Sequence, residues 1–523
     1  MNKVIFISIV SSILLVNTEA AKILGYFPTP SISHQVVYRV LMHELAKRGH
    51  EVFVITTDPA FPKDKAPKNL TEIDVHDISY SKWREAVLNP ELTTGKKDDI
   101  SQQISVMYGI IINLFDEQIN TKEVQNILKD KTLKFDLIFL ESFVRPGLVL
   151  SHFYNAPIIL MTSLLPIYNN MEVLGSPVHP ILYPMGFCRQ KVNNLTIWEK
   201  ITELYKYYNV LQSVDAYDGK INELIKKNFG ADAPSLNELQ NNVDMLFVNV
   251  HPIWDMNRPA PPSVIYLGGL HRNPEKDLPK DLKTYLDSSK HGVIYVSFGT
   301  NIDPALLPPE KINMLANVLS HTPYDVIWKW DNDNFPNRPE NIKIHKWLPQ
   351  SDLLRHPKVL LFITQGGLQS TDEAIAAGVP LIGLPMLVDQ WYNVEQYVRL
   401  KIGLGLHMEE LTENKFKTAL DTVLNDKSYR NNIIKLRTLM ADQPQTPLER
   451  AVWWTEHVLR HGGARHLRSP AANMSWTEYL ELELIVYVLL FILTIIIVSV
   501  VYIMFLIKFI KGSFSKDTAK KNN

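Results

Sequence analysis

Short apolar segments and amphipathic ones alternate along most of this chain, and each gives way to the next at a proline or a glycine. Ile23–Phe27 is a compact apolar run, broken by Pro28-Thr29-Pro30-Ser31. From Gln35 to Arg48, apolar Val36, Val37, Val40, Leu41 and Leu45 fall on helical spacing, and Gly49 ends the helix. Val52–Thr56 is the next strand. A later unit runs through a strand at Phe135–Leu140, a helical stretch at Pro146–Tyr154 and a strand at Pro157–Met161. Beyond the proline-rich connection Arg258-Pro-Ala-Pro-Pro262, strands are expected at Val293–Ser297, Val326–Trp330, Val359–Thr364 and Val379–Leu384, with helical segments between them. This alternation predicts a parallel α/β architecture in two halves, with the default site in the cleft between them.

The two ends break the pattern. Lys3, an apolar run from Val4 to Val16 and Thr18-Glu19-Ala20 have the shape of a secretory signal peptide, residues 1–20. Leu484–Ile507 carries no charge over 24 residues. At about 1.5 Å per residue this exceeds the roughly 30 Å hydrocarbon core of a bilayer. Glu478, Glu481 and Glu483 precede it, and Lys508, Lys511, Lys516, Lys520 and Lys521 follow it. The positive-inside rule therefore puts the tail, 508–523, in the cytosol and everything before the span in a lumen. The terminal Lys520-Lys521-Asn522-Asn523 resembles the dilysine signal of endoplasmic reticulum membrane proteins. A single-pass type I protein of that membrane is the expectation. Asn69, Asn194 and Asn473 head glycosylation sequons on the lumenal side.

Composition narrows the classes. The chain has 523 residues, 54 basic against 55 acidic, and a formal net charge of −1, so it lacks the basic excess of a nucleic-acid binder. One cysteine, Cys188, excludes a disulfide framework or a thiolate zinc cluster within one chain. An Asp-x-Asp at Asp331 and Asp333 sits among Asn and Pro residues, the composition of a solvated loop rather than a metal site.

The chemistry concentrates in one stretch. An apolar strand runs into Gln365-Gly366-Gly367, and then Leu368-Gln369-Ser370 opens a helix that carries Glu373. Glycines at that junction let backbone N–H groups approach a phosphate, aided by the helix's positive end. Ser297-Phe298-Gly299-Thr300 repeats the device after another strand. Two such loops in one half suggest a diphosphate.

Trp347-Leu-Pro-Gln350, the Gly-Gly loop, Glu373 and Pro385-Met-Leu-Val-Asp389-Gln390 together resemble the signature of the UDP-glycosyltransferases. The resemblance extends over nearly the whole chain, from signal peptide to basic tail, and Gly25–Gln35 looks like the insect members. It implies a GT-B fold, two facing Rossmann-like domains plus a C-terminal transmembrane helix. The expected parts are an acceptor domain over 21–258, a UDP-sugar domain over 263–445, a return helix and stalk over 446–483, and the span at 484–507. It further implies that Trp347 stacks on uracil, Gln350 bonds the base or ribose, and Glu373 accepts the ribose hydroxyls. Gly299, Thr300, Gln365, Gly366, Gly367, Gln369 and Ser370 would hold the diphosphate, and Asp389 and Gln390 the sugar.

On the same resemblance His34 is the general base and Glu141, where many relatives have Asp, its acidic partner. A neutral imidazole at the end of the first loop could take the proton of an attacking hydroxyl. Gln365 stands where many relatives have His and cannot become cationic. The implied reaction transfers a hexose, most simply glucose, from UDP-sugar to a hydroxyl of a small lipophilic acceptor with inversion. It uses no metal and no cofactor beyond the UDP-sugar co-substrate. The implied partners are UDP-glucose or another UDP-hexose, that acceptor and the membrane, with a homo-oligomer left open. The loop Met171–Phe187 is expected to line the acceptor pocket or touch the membrane, and detoxification is a fitting role. A lumenal UDP-sugar-binding relative without turnover is the alternative.

Overall fold

The computed structural model describes residues 20–62, 65–87, 100–166, 170–177, 179–186, 194–272, 274–300, 307–332, 335 and 338–521. The signal-peptide segment, Cys188, Phe187, Asp333 and the last two residues lie outside them.

Residues up to Ser469 form one compact unit and Pro470–Asn523 another. The first unit holds two parallel sheets. Seven strands, β1 (Lys22–Phe27), β2 (Glu51–Thr56), β3 (Leu70–Asp74), β4 (Leu137–Glu141), β5 (Ile158–Thr162), β6 (Val243–Val248) and β7 (Val264–Tyr266), run in the order β3-β2-β1-β4-β5-β6-β7. Six more, β8 (Val293–Ser297), β9 (Asp325–Lys329), β10 (Ile342–His345), β11 (Val359–Thr364), β12 (Leu381–Gly383) and β13 (Gly403–Gly405), run in the order β10-β9-β8-β11-β12-β13. The central strands are buried on both faces, which is why residues 137–140 and 293–296 read as unbroken apolar runs rather than alternations, with the polar Glu141 and Ser297 at their carboxyl ends.

Each sheet reverses its strand order once, between β1 and β4 in the first and between β8 and β11 in the second. Parallel sheets open a crevice at such switch points, beyond the carboxyl ends of the strands. The loops leaving β1, β4, β8 and β11 therefore carry the site.

One position differs from the expectation, and the return helix falls where it was expected. The proline-rich connection at 258–262 does not divide the halves: Val264–Tyr266 follows it and pairs with β6 as the last strand of the first sheet. The chain crosses to the second sheet only after that strand. Three residues are too few to show a period, so β7 is invisible to pattern reading. Near the other end, helix Pro447–His461 returns to the first lobe. Its Ala451, Val452 and Val458 join the core of β1, β2 and the helix Ile32–Lys47 (α1). Arg450 donates to the Tyr266 carbonyl at 3.2 Å, and Arg48 pairs with Glu456 at 3.3 Å.

In the second unit, helix Leu482–Lys521 contains a 31-residue segment, Leu482–Gly512, of mean hydropathy 3.3. By length and composition it can cross a membrane.

Candidate active site between the lobes

A cleft of about 650 Å³ lies between the two switch points. On the first-lobe side, α1 begins directly after the Pro28–Ser31 break and presents His34 on its first turn. That turn has no acidic residue. The end of β4 presents Glu141, which is fully buried. His34 Nδ1 and Glu141 Oε1 are 2.8 Å apart. The carboxylate takes two more hydrogen bonds, from the Tyr38 hydroxyl at 2.9 Å and the Thr29 amide at 3.2 Å. An ionised carboxylate only accepts, so the bond fixes the proton of a neutral His34 on Nδ1 and leaves the Nε2 lone pair free. Burial, then the Glu141 charge, raise the Tyr38 phenol well above its usual range, so Tyr38 is a donor to Glu141 and not a second anion. The longer side chain of Glu141 thus finds its room under α1.

On the second-lobe side, Gly299 at φ +78° and Gly366 at φ +90° turn the two loops in the left-handed region. A Cβ on Gly299 would stand 2.2 Å from Gln365 Nε2, and one on Gly366 2.7 Å from Val394. Both loops therefore favour glycine on conformation, and a side chain at either position would displace a neighbour. Gln365 is buried with its amide wedged between Gly299 and Gly367. Gly367 is the N-cap of α2 (Leu368–Ala377), which carries Ser370 and Glu373 into the cleft.

Glu373 is held from the side. Gln350 Nε2 donates to Glu373 Oε2 at 2.7 Å and to Ser370 Oγ at 2.9 Å, while its Oε1 accepts from Tyr295 at 3.0 Å. Gln350 is thus bonded within the site and acts on Glu373 directly. Burial raises the Glu373 carboxyl above the ordinary range, against the Gln350 hydrogen bond. Trp347 is 67% exposed at the cleft rim. Gln369 points elsewhere: its Nε2 donates across the cleft to the Ser163 carbonyl at 2.9 Å.

Asp389 occupies the N-cap position of α3 (Gln390–Arg399), but its side chain makes no capping hydrogen bond to the first turn's backbone. Burial pushes its carboxyl up to about 6, opposed by a hydrogen bond from Asn393 and by the nearby His34. Gln390 Oε1 folds back to accept from the Met386 and Leu387 amides at 2.9 and 3.0 Å. Its oxygen is committed to shaping the turn.

Beyond the polar edge of Thr29, Ser31, Ser33 and Arg39, the first-lobe wall is mainly apolar: Trp83, then Ile104, Met107, Tyr108 and Ile111 from helix Ile100–Ile119, and Phe143. Pattern reading missed this helix, although its apolar positions recur at helical spacing. The loop expected to line the pocket does not do so where it is described. Met171, Val173, Leu174 and Met185 are buried in the first lobe's core, because apolar side chains that close to a large core pack into it. Asp331 forms an ion pair with Lys329 at 2.8 Å. Asn69 is half-buried, with Nδ2 donating to the Ala46 carbonyl at 3.3 Å, whereas Asn194 and Asn473 are exposed.

Two parallel α/β lobes facing across such a cleft define the GT-B glycosyltransferases. The fold matches the solved UDP-glucose: anthocyanidin 3-O-glucosyltransferase in complex with UDP, with a TM-score of 0.57 over 84% of this chain and 99% of that one, at 17% identity. The calicheamicin glycosyltransferase CalG4 fits equally, at TM-score 0.57 with 17% identity over 84% and 99% of the two chains. Residues 22–517 match the family model of UDP-glucoronosyl and UDP-glucosyl transferase. An ecdysteroid UDP-glucosyltransferase of Spodoptera littoralis nuclear polyhedrosis virus is 35% identical over 495 residues, 92% of this chain and 96% of that protein. UDP-glucosyltransferase 2 of Dactylopius coccus is 32% identical over 498 residues, 91% and 92% of the two chains. The chain belongs to the UDP-glycosyltransferase family, whose members transfer a sugar from a UDP-sugar to an acceptor.

Proposed function

We propose that this enzyme transfers glucose from UDP-glucose to a hydroxyl of a small lipophilic acceptor, with His34 as general base and inversion at the anomeric carbon. The observation that carries the reading is the His34–Glu141 pair, placed on the opposite wall of the same cleft as Glu373 and Asp389. Nε2 takes the hydroxyl proton as the acceptor oxygen attacks the anomeric carbon. The bond from that carbon to the diphosphate oxygen breaks on the far side, UDP leaves, and an α-linked donor gives a β-glycoside. His34 then returns its proton to solvent. Glu141 stabilises the transient imidazolium.

Glu373 receives the ribose hydroxyls, the amides of the two glycine loops and of the start of α2 receive the diphosphate, and Asp389 receives the sugar. With Gln365 neutral, departure of UDP relies on backbone N–H groups and the helix terminus. No step needs a metal, and full activity in a chelator is expected. Two curated relatives with glucosyltransferase names support glucose, and the apolar wall supports a lipophilic acceptor. Helix Leu482–Lys521 anchors the chain in the endoplasmic reticulum membrane with the lobes in the lumen, near acceptors that partition into lipid.

The test is a microsomal assay with several UDP-hexoses and hydroxylated acceptors, read by the mass and anomeric form of the conjugate. A β-glucoside made from UDP-glucose is expected. Binding of UDP-glucose with no conjugate from any acceptor would favour the non-catalytic alternative.

A further inference from the structure

The turn that carries Asp389 is held from the opposite lobe. Val388, a β-branched residue, stands at φ +46°, a conformation such residues rarely adopt and which persists only where surroundings impose it. Three sets of contacts impose it. Gln390 Oε1 ties the amides of Met386 and Leu387. Gln103, fully buried on helix Ile100–Ile119 of the first lobe, accepts from the Val388 amide at 3.2 Å. Asn393, fully buried on the first turns of α3, donates to Asp389 Oδ2 and to the Gly366 carbonyl, each at 2.9 Å.

The orientation of the Asn393 amide is itself dictated by the first lobe. The Trp254 indole N–H, which can only donate, reaches Asn393 Oδ1 at 2.9 Å. The Trp254 carbonyl in turn accepts from Tyr392 at 2.9 Å. Trp254 lies in the segment just beyond β6 and is 1% exposed. Every hydrogen-bonding atom of the Asn393 side chain is thus assigned: the oxygen to the first lobe, the two hydrogens to the sugar carboxylate and to the phosphate loop.

We infer that Trp254, Asn393 and Gln103 are positioning residues through which the first lobe sets the geometry of the donor's sugar-binding turn. The inference rests on the reading of Asp389 as a sugar contact. Its consequence is that the enzyme presents a shaped sugar site only when the lobes stand in this arrangement. UDP, which lacks the sugar, does not depend on that turn. The titratable groups facing Asp389 are His34 from α1 and Tyr397 from α3.

The test uses the detergent-solubilised full chain and the ratio of dissociation constants for UDP-glucose and UDP. Trp254→Phe keeps the ring and removes the donor; Gln103→Leu keeps the shape and removes the acceptor. Each is expected to raise the UDP-glucose to UDP ratio about tenfold, the effect of a lost buried hydrogen bond. Asn393→Ala also frees the Gly366 carbonyl of the phosphate loop, so it should weaken both ligands but UDP-glucose more; and because it strips a donor from Asp389 it should move the acid limb of UDP-glucose binding to higher pH. Equal weakening of UDP and UDP-glucose, or an unmoved acid limb in Asn393→Ala, would mean mere structural support and overturn the inference. Asp389→Asn separates the two levels. If it leaves the ratio unchanged, the sugar assignment fails and the inference with it. If it raises the ratio while Trp254→Phe and Gln103→Leu do not, only the inference fails.

Discussion

The two walls of the cleft are built on different principles. The second lobe offers backbone: two loops turned at positive-φ glycines, a helix N-terminus, and carboxylates held by Gln350 and Asn393. The first lobe offers shape: an apolar surface from Trp83, helix Ile100–Ile119 and Phe143, beside a polar edge of Thr29, Ser31, Ser33 and Arg39 where His34 stands backed by buried Glu141. A diphosphate is the same in every donor, so a rigid polar cradle suits it. The lipophilic acceptors proposed above would differ in outline, and side chains on a stable helix can be exchanged without disturbing the backbone. The donor side should therefore break under small backbone changes, while the acceptor side should retune under large side-chain changes.

That contrast can be attacked from both sides. The largest effect is expected from Gly299→Ala. A forced left-handed residue costs about 1–3 kcal/mol, so UDP affinity should fall about ten- to hundredfold. Tight binding of a lipophilic acceptor, followed by Trp fluorescence, should survive. Glu373→Gln should weaken UDP about tenfold by removing a charged hydrogen-bond acceptor. Because burial raises the Glu373 carboxyl, wild-type affinity should fall as pH drops through that raised value. The Gln variant should lack this limb in calorimetric titrations against pH. Ile104→Ala or Ile111→Ala should change KM for individual acceptors about three- to tenfold, from lost apolar contact, and leave the KM for UDP-glucose unmoved. Equal effects on both substrates would erase the distinction between the walls. The smallest change is expected from Gln365→Ala, about threefold in kcat from one neutral hydrogen bond. An unchanged rate would assign the leaving group to backbone amides alone.

The same contrast explains what could be read from the residues alone. The donor wall is nearly contiguous in sequence: Trp347 to Gln390 holds its signature, and glycines at strand ends have a mechanical meaning without coordinates. His34 and Glu141 were legible through the resemblance, but their 2.8 Å contact joins residues 107 positions apart. The apolar wall comes from segments scattered between Trp83 and Phe143, and no spacing rule singles out which faces of its helix meet a cavity rather than a core. Trp254 and Asn393 were missed for a similar reason: a buried indole and a buried amide carry no signal until the lobes are placed together. In the fold, residues 137–140 and 359–363 stand out as apolar runs, whereas Val264–Tyr266 and Gly403–Gly405 are too short to declare themselves.

The central claim is that a base on one wall acts on an acceptor against a donor held by the other. Single-turnover transfer from radiolabelled UDP-glucose, in full-length wild type and His34→Ala at matched donor occupancy, tests it most directly. The predicted result is a transfer rate lowered by about 10²- to 10⁴-fold with the dissociation constant for UDP-glucose unchanged. A His34→Ala enzyme that turns over at the wild-type rate would contradict the account.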